Sequence, residues 1–183
     1  MRDRPAELRS LLARFRAGRI PEEAVYALIH DFGEAACMEA KPDVEALLTH
    51  PDPELRYIAL NVLTLHWMCS EHRRTCEEFA LEDADSENRG MGVAGLGALL
   101  RGTRDPEALA LLLRIFRNEG EEWLVRDSAY CSILYVLGRP ASEQPPATRR
   151  LDHTRDVDWD RIREAEDIVR SSGSWQLRQS RET

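Results

Sequence analysis

Three segments of the chain repeat one pattern at the interval of a helix pair. The first is Asp52-Pro53-Glu54-Leu55-Arg56-Tyr57-Ile58-Ala59, running on to Leu63. The second is Asp85-Ser86-Glu87-Asn88-Arg89-Gly90-Met91-Gly92, running on to Leu96. The third is Glu122-Trp123-Leu124-Val125-Arg126-Asp127-Ser128-Ala129, running on to Ile133. Each has an acid four positions before an arginine, a small residue three after it and an aliphatic residue seven after it. The arginines are 33 and 37 residues apart, a spacing that suits a two-helix repeat. Such a repeat cannot bury its apolar face alone, so it constrains the chain to stack one helix pair on the next.

The flanking pattern is helical throughout. Residues 5–17 place Leu8, Leu11, Leu12 and Phe15 at helical spacing, and Gly18 is a natural stop. Pro21-Glu22-Glu23 opens a second helix with Val25, Leu28, Ile29 and Phe32 as its apolar stripe. Further first helices are predicted over 36–49, 71–81 and 105–117. Asp105-Pro106-Glu107 caps the last, and Leu109, Leu112, Leu113 and Phe116 fill its buried face. The proline-rich run from Arg139 to Pro146 breaks the pattern. A helix over 157–170 then carries Trp159, Ile162, Ala165, Ile168 and Val169 at core spacing and is expected to cap the last repeat. Trp175 is the one residue of the polar tail expected to dock.

The unit Pro-Asp-Pro-Glu-Leu-Arg-x-x-Ala-x-x-x-Leu at 51–63 resembles the second helix of a HEAT repeat, of the type also seen in bacterial phycobilisome-lyase-like repeats. The resemblance covers roughly residues 22–138. The second copy is diluted by Gly90, Gly92, Gly95 and Gly97, each costing about 1 kcal/mol in a helix interior. That helix is therefore expected to be the weakest of the set. The resemblance implies an all-α fold, a short right-handed α-α superhelix of antiparallel helix pairs whose second helices line the concave side. The expected organisation is one domain over 1–170. It has an N-terminal helical cap (1–35), three repeats (36–138), a loop (139–156), a capping helix (157–170) and a flexible tail (171–183). The resemblance also makes Arg56, Arg89 and Arg126 neighbours in a ladder, with Asp52, Asp85 and Glu122 as pairing partners between adjacent repeats.

Charge narrows the function classes. The chain of 183 residues has a formal net charge of −8. Residues 1–20 carry +4, whereas residues 21–88 carry −12, so the acidity sits in one segment. A dense acidic surface repels phosphate backbones and steers basic partners. Nucleic-acid binding, which one HEAT-like family of DNA glycosylases brings to mind, needs a basic groove that only Arg114, Arg117 and Arg126 could begin to supply. An accessory factor or lyase acting on a pigment or other small molecule is the remaining alternative. No apolar run approaches the roughly 18 residues of a membrane span, and the first residues lack the apolar core of a signal peptide. With four cysteines read as reduced thiols, the cytoplasm is the expected compartment.

No motif points to catalysis. Gly90-Met91-Gly92-x-x-Gly95 has dinucleotide-loop spacing but follows no predicted strand, and it reads as close helix packing. His66, Cys69, His72 and Cys76 offer four zinc-type ligands within a short span. On one helix, however, a rise of about 1.5 Å per residue spreads them over about 15 Å. They read instead as buried thiols and turn histidines, with Cys37 and Cys131 as small core residues. The expected function is a non-catalytic protein-interaction module or scaffold, needing no cofactor or metal, whose partner is another protein with a basic patch. The binding candidates are Arg56, Tyr57, Arg89, Arg126 and Tyr130, the tyrosines because they follow the ladder arginine off the apolar stripe.

Overall fold

Aspartate caps decide where four of the helices begin. Asp52, Asp85, Asp105 and Asp158 each accept hydrogen bonds from backbone N–H groups of the next turn, satisfying donors that a helix start leaves unpaired. Pro53 and Pro106 follow directly, at the position where the missing N–H costs nothing. The result, in a computed structural model that describes residues 4–145 and 150–173, is an all-α chain with no strand among the described residues. Its helices are α1 (Arg4–Arg16), α2 (Glu22–Glu34), α3 (Lys41–Ala46), α4 (Pro53–Asn61), α5 (Arg73–Glu82), α6 (Ser86–Leu99), α7 (Pro106–Arg117), α8 (Trp123–Val136) and α9 (Trp159–Ser171). Trp175 lies outside the described residues.

The expectations for 5–17, 105–117 and 157–170 correspond to α1, α7 and α9. Gly18 adopts φ +64°, and its left-handed turn returns the Gly18 and Arg19 N–H groups to Phe15 and Arg14. Two expectations need correction. Residues 36–49 are not one helix: a 3-10 turn, Met38–Ala40, precedes α3 and another, Leu47–Thr49, follows it. Pro42 has no N–H to donate, so the α-helix restarts around it. The 71–81 segment likewise begins with a 3-10 turn, Ser70–His72, before α5.

The chain forms two compact units, Met1–His72 and Arg73–Thr183. In the first unit, α2 packs against α4 and against the π-helical turn Val62–His66 that continues it. Its core joins Leu8 and Leu12 of α1 to Ile29 and Phe32 of α2, Val44 of α3, and Ile58 and Leu63 of the α4 segment. In the second unit, α6 is packed between α5 and α8, and α7 between α8 and α9. Helix α9 thus covers the outer face of the last pair.

Glycine sets the spacing of α6. A Cβ on Gly92 would lie 2.6 Å from the Ala80 nitrogen and 2.7 Å from the Cys76 carbonyl oxygen, so here α6 lies against the backbone of α5. On the opposite face a Cβ on Gly97 would lie 2.6 Å from Ser132, whose hydroxyl donates to the Val93 carbonyl at 3.0 Å. The same close packing encloses Cys76, which is 0 % exposed. Burial, with the nearby Glu77 charge, pushes its thiol up to about 12. Only a thiolate attacks an alkylating reagent. Alkylation of the native protein near pH 8 is therefore expected to leave Cys76 unmodified until denaturant is added, while the half-buried Cys37 reacts. Peptide mass spectrometry reads the difference, and native labelling of Cys76 would contradict this packing.

Candidate functional site

The recurring arginines point inward. Arg56 donates to the carbonyls of His50 and Pro51, at 2.9 and 3.0 Å, and so ties down the turn before its own helix. Arg89 repeats the bond one unit later, donating to the Asp83 and Ala84 carbonyls at 3.0 and 3.2 Å. Arg126 reaches further back, to the Phe116 carbonyl at 3.1 Å. Each arginine sits about one turn inside a helix; Arg56 and Arg89 clamp the loop that leads into it, and Arg126 ties α8 to the last turn of α7.

Arg89 also joins neighbouring helix pairs. Its guanidinium meets the Glu121 carboxylate at 2.7 Å, with both side chains largely buried. Burial pushes the Glu121 carboxyl up, but the Arg89 hydrogen bonds and the Glu122 N–H outweigh it and hold the group below its ordinary range. Arg73 of α5 meets Asp105, the cap of α7, at 2.9 Å. There too burial opposes ionisation, while the Ala108 N–H and Arg73 prevail and lower the carboxyl. Within the first unit, Arg16 pairs with Asp43 at 2.8 Å, and Lys41 pairs with Glu71.

Pairing between repeats therefore exists, with partners other than those expected. Asp52 and Asp85 cap their own helices, and Glu122 makes no side-chain cap bond. The pairs Arg73–Asp105 and Arg89–Glu121 each span 32 residues. The offset is one repeat length, and searching for it would have found both pairs.

Tyr130 requires correction: it is 2 % exposed rather than on an open face. Its hydroxyl accepts the Asp158 N–H at 2.8 Å and so holds the start of α9. Asp127, one turn earlier, accepts the Leu151 N–H at 2.8 Å and faces His153 at 3.2 Å. Phe116 packs beside Tyr130, His153 and Trp159. The surface beside the ladder arginine is thus covered by the returning chain, which a helical wheel of α8 alone does not reveal. Tyr57 is half-buried on α4.

Large apolar side chains of the second unit are exposed at Leu81, at Trp159 and, as a neighbouring pair, at the edge where α6 and α8 begin. Trp123 is 42 % and Leu124 38 % exposed at the start of α8. Leu124 reaches across to α6, where a Cβ on Gly90 would meet it at 3.9 Å. Glu87, Glu119 and Glu122 are exposed around this end of the unit. The Arg89–Glu121 pair fixes the two helix starts relative to each other. The edge thus combines two large apolar side chains with a rim of carboxylates on a rigid base.

The sequence-level zinc quartet is dispersed among separate environments. His66 faces His30, Cys69 is buried, His72 meets Glu45 at 3.1 Å, and Cys76 lies inside the α5–α6 packing. Among the described residues, His30, Asp31 and Glu34 are the ligand-type side chains that come together.

No helix among the described residues is long and apolar enough to cross a membrane. Neither the curated proteins nor the solved structures contain a match to the chain. The family model described as HEAT repeats matches residues 40–133, just over half of the chain and the stretch that contains all three recurring arginines. Stacked helix pairs, capped starts and inward arginine clamps agree with that match, and the chain belongs to the HEAT-repeat family.

Proposed function

We propose that this HEAT-repeat protein is a non-catalytic interaction module that docks a protein with a basic patch on the edge formed by the starts of α6 and α8. The observation that carries the reading is the exposure of Trp123 and Leu124 beside Glu87, Glu119 and Glu122. Large aromatic side chains are favoured anchors at interfaces, and a charged rim sets encounter rate and partner choice. Arg89 and Arg126 build this edge from within, because their guanidinium groups are committed to carbonyls and to Glu121. Arg56 and Tyr57 have the corresponding place in the first unit. Nucleic acid is a poorer fit: Arg126 is turned to a carbonyl, and Arg117 pairs with Glu166. The acidity of residues 21–88 adds long-range attraction for a basic partner. Its four reduced thiols suit the cytoplasm as the place of action.

The test is capture from a lysate of the source organism on the immobilised protein across a salt series. A near-stoichiometric basic protein, retained at low salt and released as salt rises, is the expected result. Screening weakens attraction between exposed charges over a Debye length of about 8 Å at physiological ionic strength. Capture of nothing, or of a partner indifferent to salt, overturns the electrostatic part of the reading.

A further inference from the structure

The end of α2 brings three ligand-type side chains together within the first unit, and the π-helical turn after α4 sets a fourth, His66, beside one of them. His30 and Glu34 are one helical turn apart on α2 and share a face. Asp31 stands beside them, and one ligand atom from each of His30, Asp31 and Glu34 lies within 4.8 Å of the others. His66 comes from a different element, as the last residue of the turn Val62–His66. Its ring stands edge-on to that of His30, with centroids 5.5 Å apart and planes at 80°.

This approach is built into the backbone. A Cβ on Gly33 would lie 2.8 Å from a Val62 methyl and 3.2 Å from His66 Cγ, so only glycine lets the turn come this close to α2. The turn presents His66 through a wider ring than an α-helix has, closed by the Trp67 N–H donating to the Val62 carbonyl at 2.9 Å. An ion held tetrahedrally by two imidazole nitrogens at about 2.0–2.1 Å sets their ring centroids about 5 Å apart. His30 and His66, 5.5 Å apart in an edge-on contact, are near that separation, and rotation of the rings is needed to turn one nitrogen of each towards a shared ion.

We propose that His30, Glu34 and His66, with Asp31 as a fourth donor, form a binding site for a borderline divalent transition-metal ion of which Zn²⁺ is representative. Two imidazoles and two carboxylates match its preference for nitrogen and oxygen donors and balance its charge. Arg4 is the basic group paired with Glu34, at 3.9 Å, with both side chains well exposed, so this contact yields readily to a cation. A bound ion cross-links α2 to the turn after α4 and stabilises the folded form by mass action.

Titration calorimetry of the full chain, stripped with chelator, with Zn²⁺ as the probe tests the site. One equivalent is expected to bind and to raise the Tm. His30→Ala and His66→Ala are each expected to weaken binding at least about tenfold, since even an outer-shell partner is worth about ten- to a hundredfold. Neither side chain belongs to the apolar core, so their circular-dichroism spectra should match the parent. Should one fail to fold, Glu34→Gln tests the same ion from the exposed side. His50→Ala, which removes a histidine remote from this cluster in sequence and bonded to the Asp52 N–H, should leave the affinity unchanged. The Co²⁺ form should show no thiolate charge-transfer band. Absence of Zn²⁺ binding, unchanged binding in both histidine variants, or a thiolate band would overturn the assignment.

Discussion

Replacing Gly92 with alanine is expected to destabilise the second unit by roughly 2–3 kcal/mol, the cost of forcing a methyl group into closed packing. The sign is not that of helix propensity, which favours alanine over glycine by about 1 kcal/mol in a helix interior. It is set by what the new Cβ would strike: the Ala80 nitrogen at 2.6 Å and the Cys76 carbonyl oxygen at 2.7 Å. Both are backbone atoms of α5, which cannot turn aside as a side-chain end can. Helix α5 would have to move away from α6, opening the packing around Cys76 and Phe79. Gly90, two residues earlier on the same helix, is the internal control. A Cβ there meets Ser128 at 3.7 Å, ordinary contact, so Gly90→Ala should stabilise by up to about 1 kcal/mol. Amide hydrogen exchange of the α5 and α6 peptides, read by mass spectrometry, separates the two. Faster exchange in Gly92→Ala and equal or slower exchange in Gly90→Ala are expected. Equal behaviour of the two variants would show that the close approach is not what α6 requires.

Arg89→Ala is expected to cost about 2–3 kcal/mol, because it removes a charge-assisted pair and leaves part-buried acceptors behind. The stranded groups are the Glu121 carboxylate and the Asp83 carbonyl, both part-buried, whereas the exposed Ala84 carbonyl can turn to water. Arg89→Lys should recover only part of the loss, since one ammonium cannot span the carboxylate and both carbonyls in the planar geometry of a guanidinium. A double-mutant cycle with Glu121→Gln should give a coupling energy of about 1–2 kcal/mol. The pair also has a pH signature. The Glu121 carboxyl is held below its ordinary value of 4.5 in the folded chain. Its contribution is therefore complete above that value and is lost as pH falls through the lower, folded one. Against the opposing effect of burial, Asp105 and Glu164 are lowered in the same sense, by the Ala108 N–H with Arg73 and by Arg104 with Arg139. Acid unfolding followed by circular dichroism should begin at a higher pH in Arg89→Ala than in the parent. An unchanged acid limb would mean that Glu121 finds another cation.

These two residues also show what was legible in the chain. The recurring arginine and the small residue after it are visible as a pattern, and so are the Asp-Pro caps, because all are local to one helix. The start of α7 follows directly from Asp105-Pro106 and the spacing of its leucines. The identity of each pairing partner is not local. Glu121 belongs to Arg89 because α8 lies beside α6, and only the stacking of helix pairs puts a side chain 32 residues away within 2.7 Å. Tyr130 shows the opposite failure. Its helical position looks open until the returning segment and α9 are laid over it. The glycines of α6 read as a weakness by propensity alone, yet Gly92 and Gly97 are where neighbouring helices come closest. The histidine cluster was hidden for a similar reason. In sequence His66 stands among cysteines, whereas packing turns it towards His30.

The proposed docking edge divides labour between arginines that hold the starts of α6 and α8 from within and Trp123, Leu124 and the carboxylates that would meet a partner. The direct measurement is the affinity of the captured basic protein for the parent, for Trp123→Ala and for the Glu87→Lys/Glu122→Lys pair, with each variant checked for unchanged thermal stability. Removal of an interface aromatic anchor typically costs about 2 kcal/mol or more, so Trp123→Ala should weaken binding by about thirtyfold. The charge reversal should slow association and flatten the salt dependence. Full affinity in both folded variants would contradict the assignment of this edge as the docking surface.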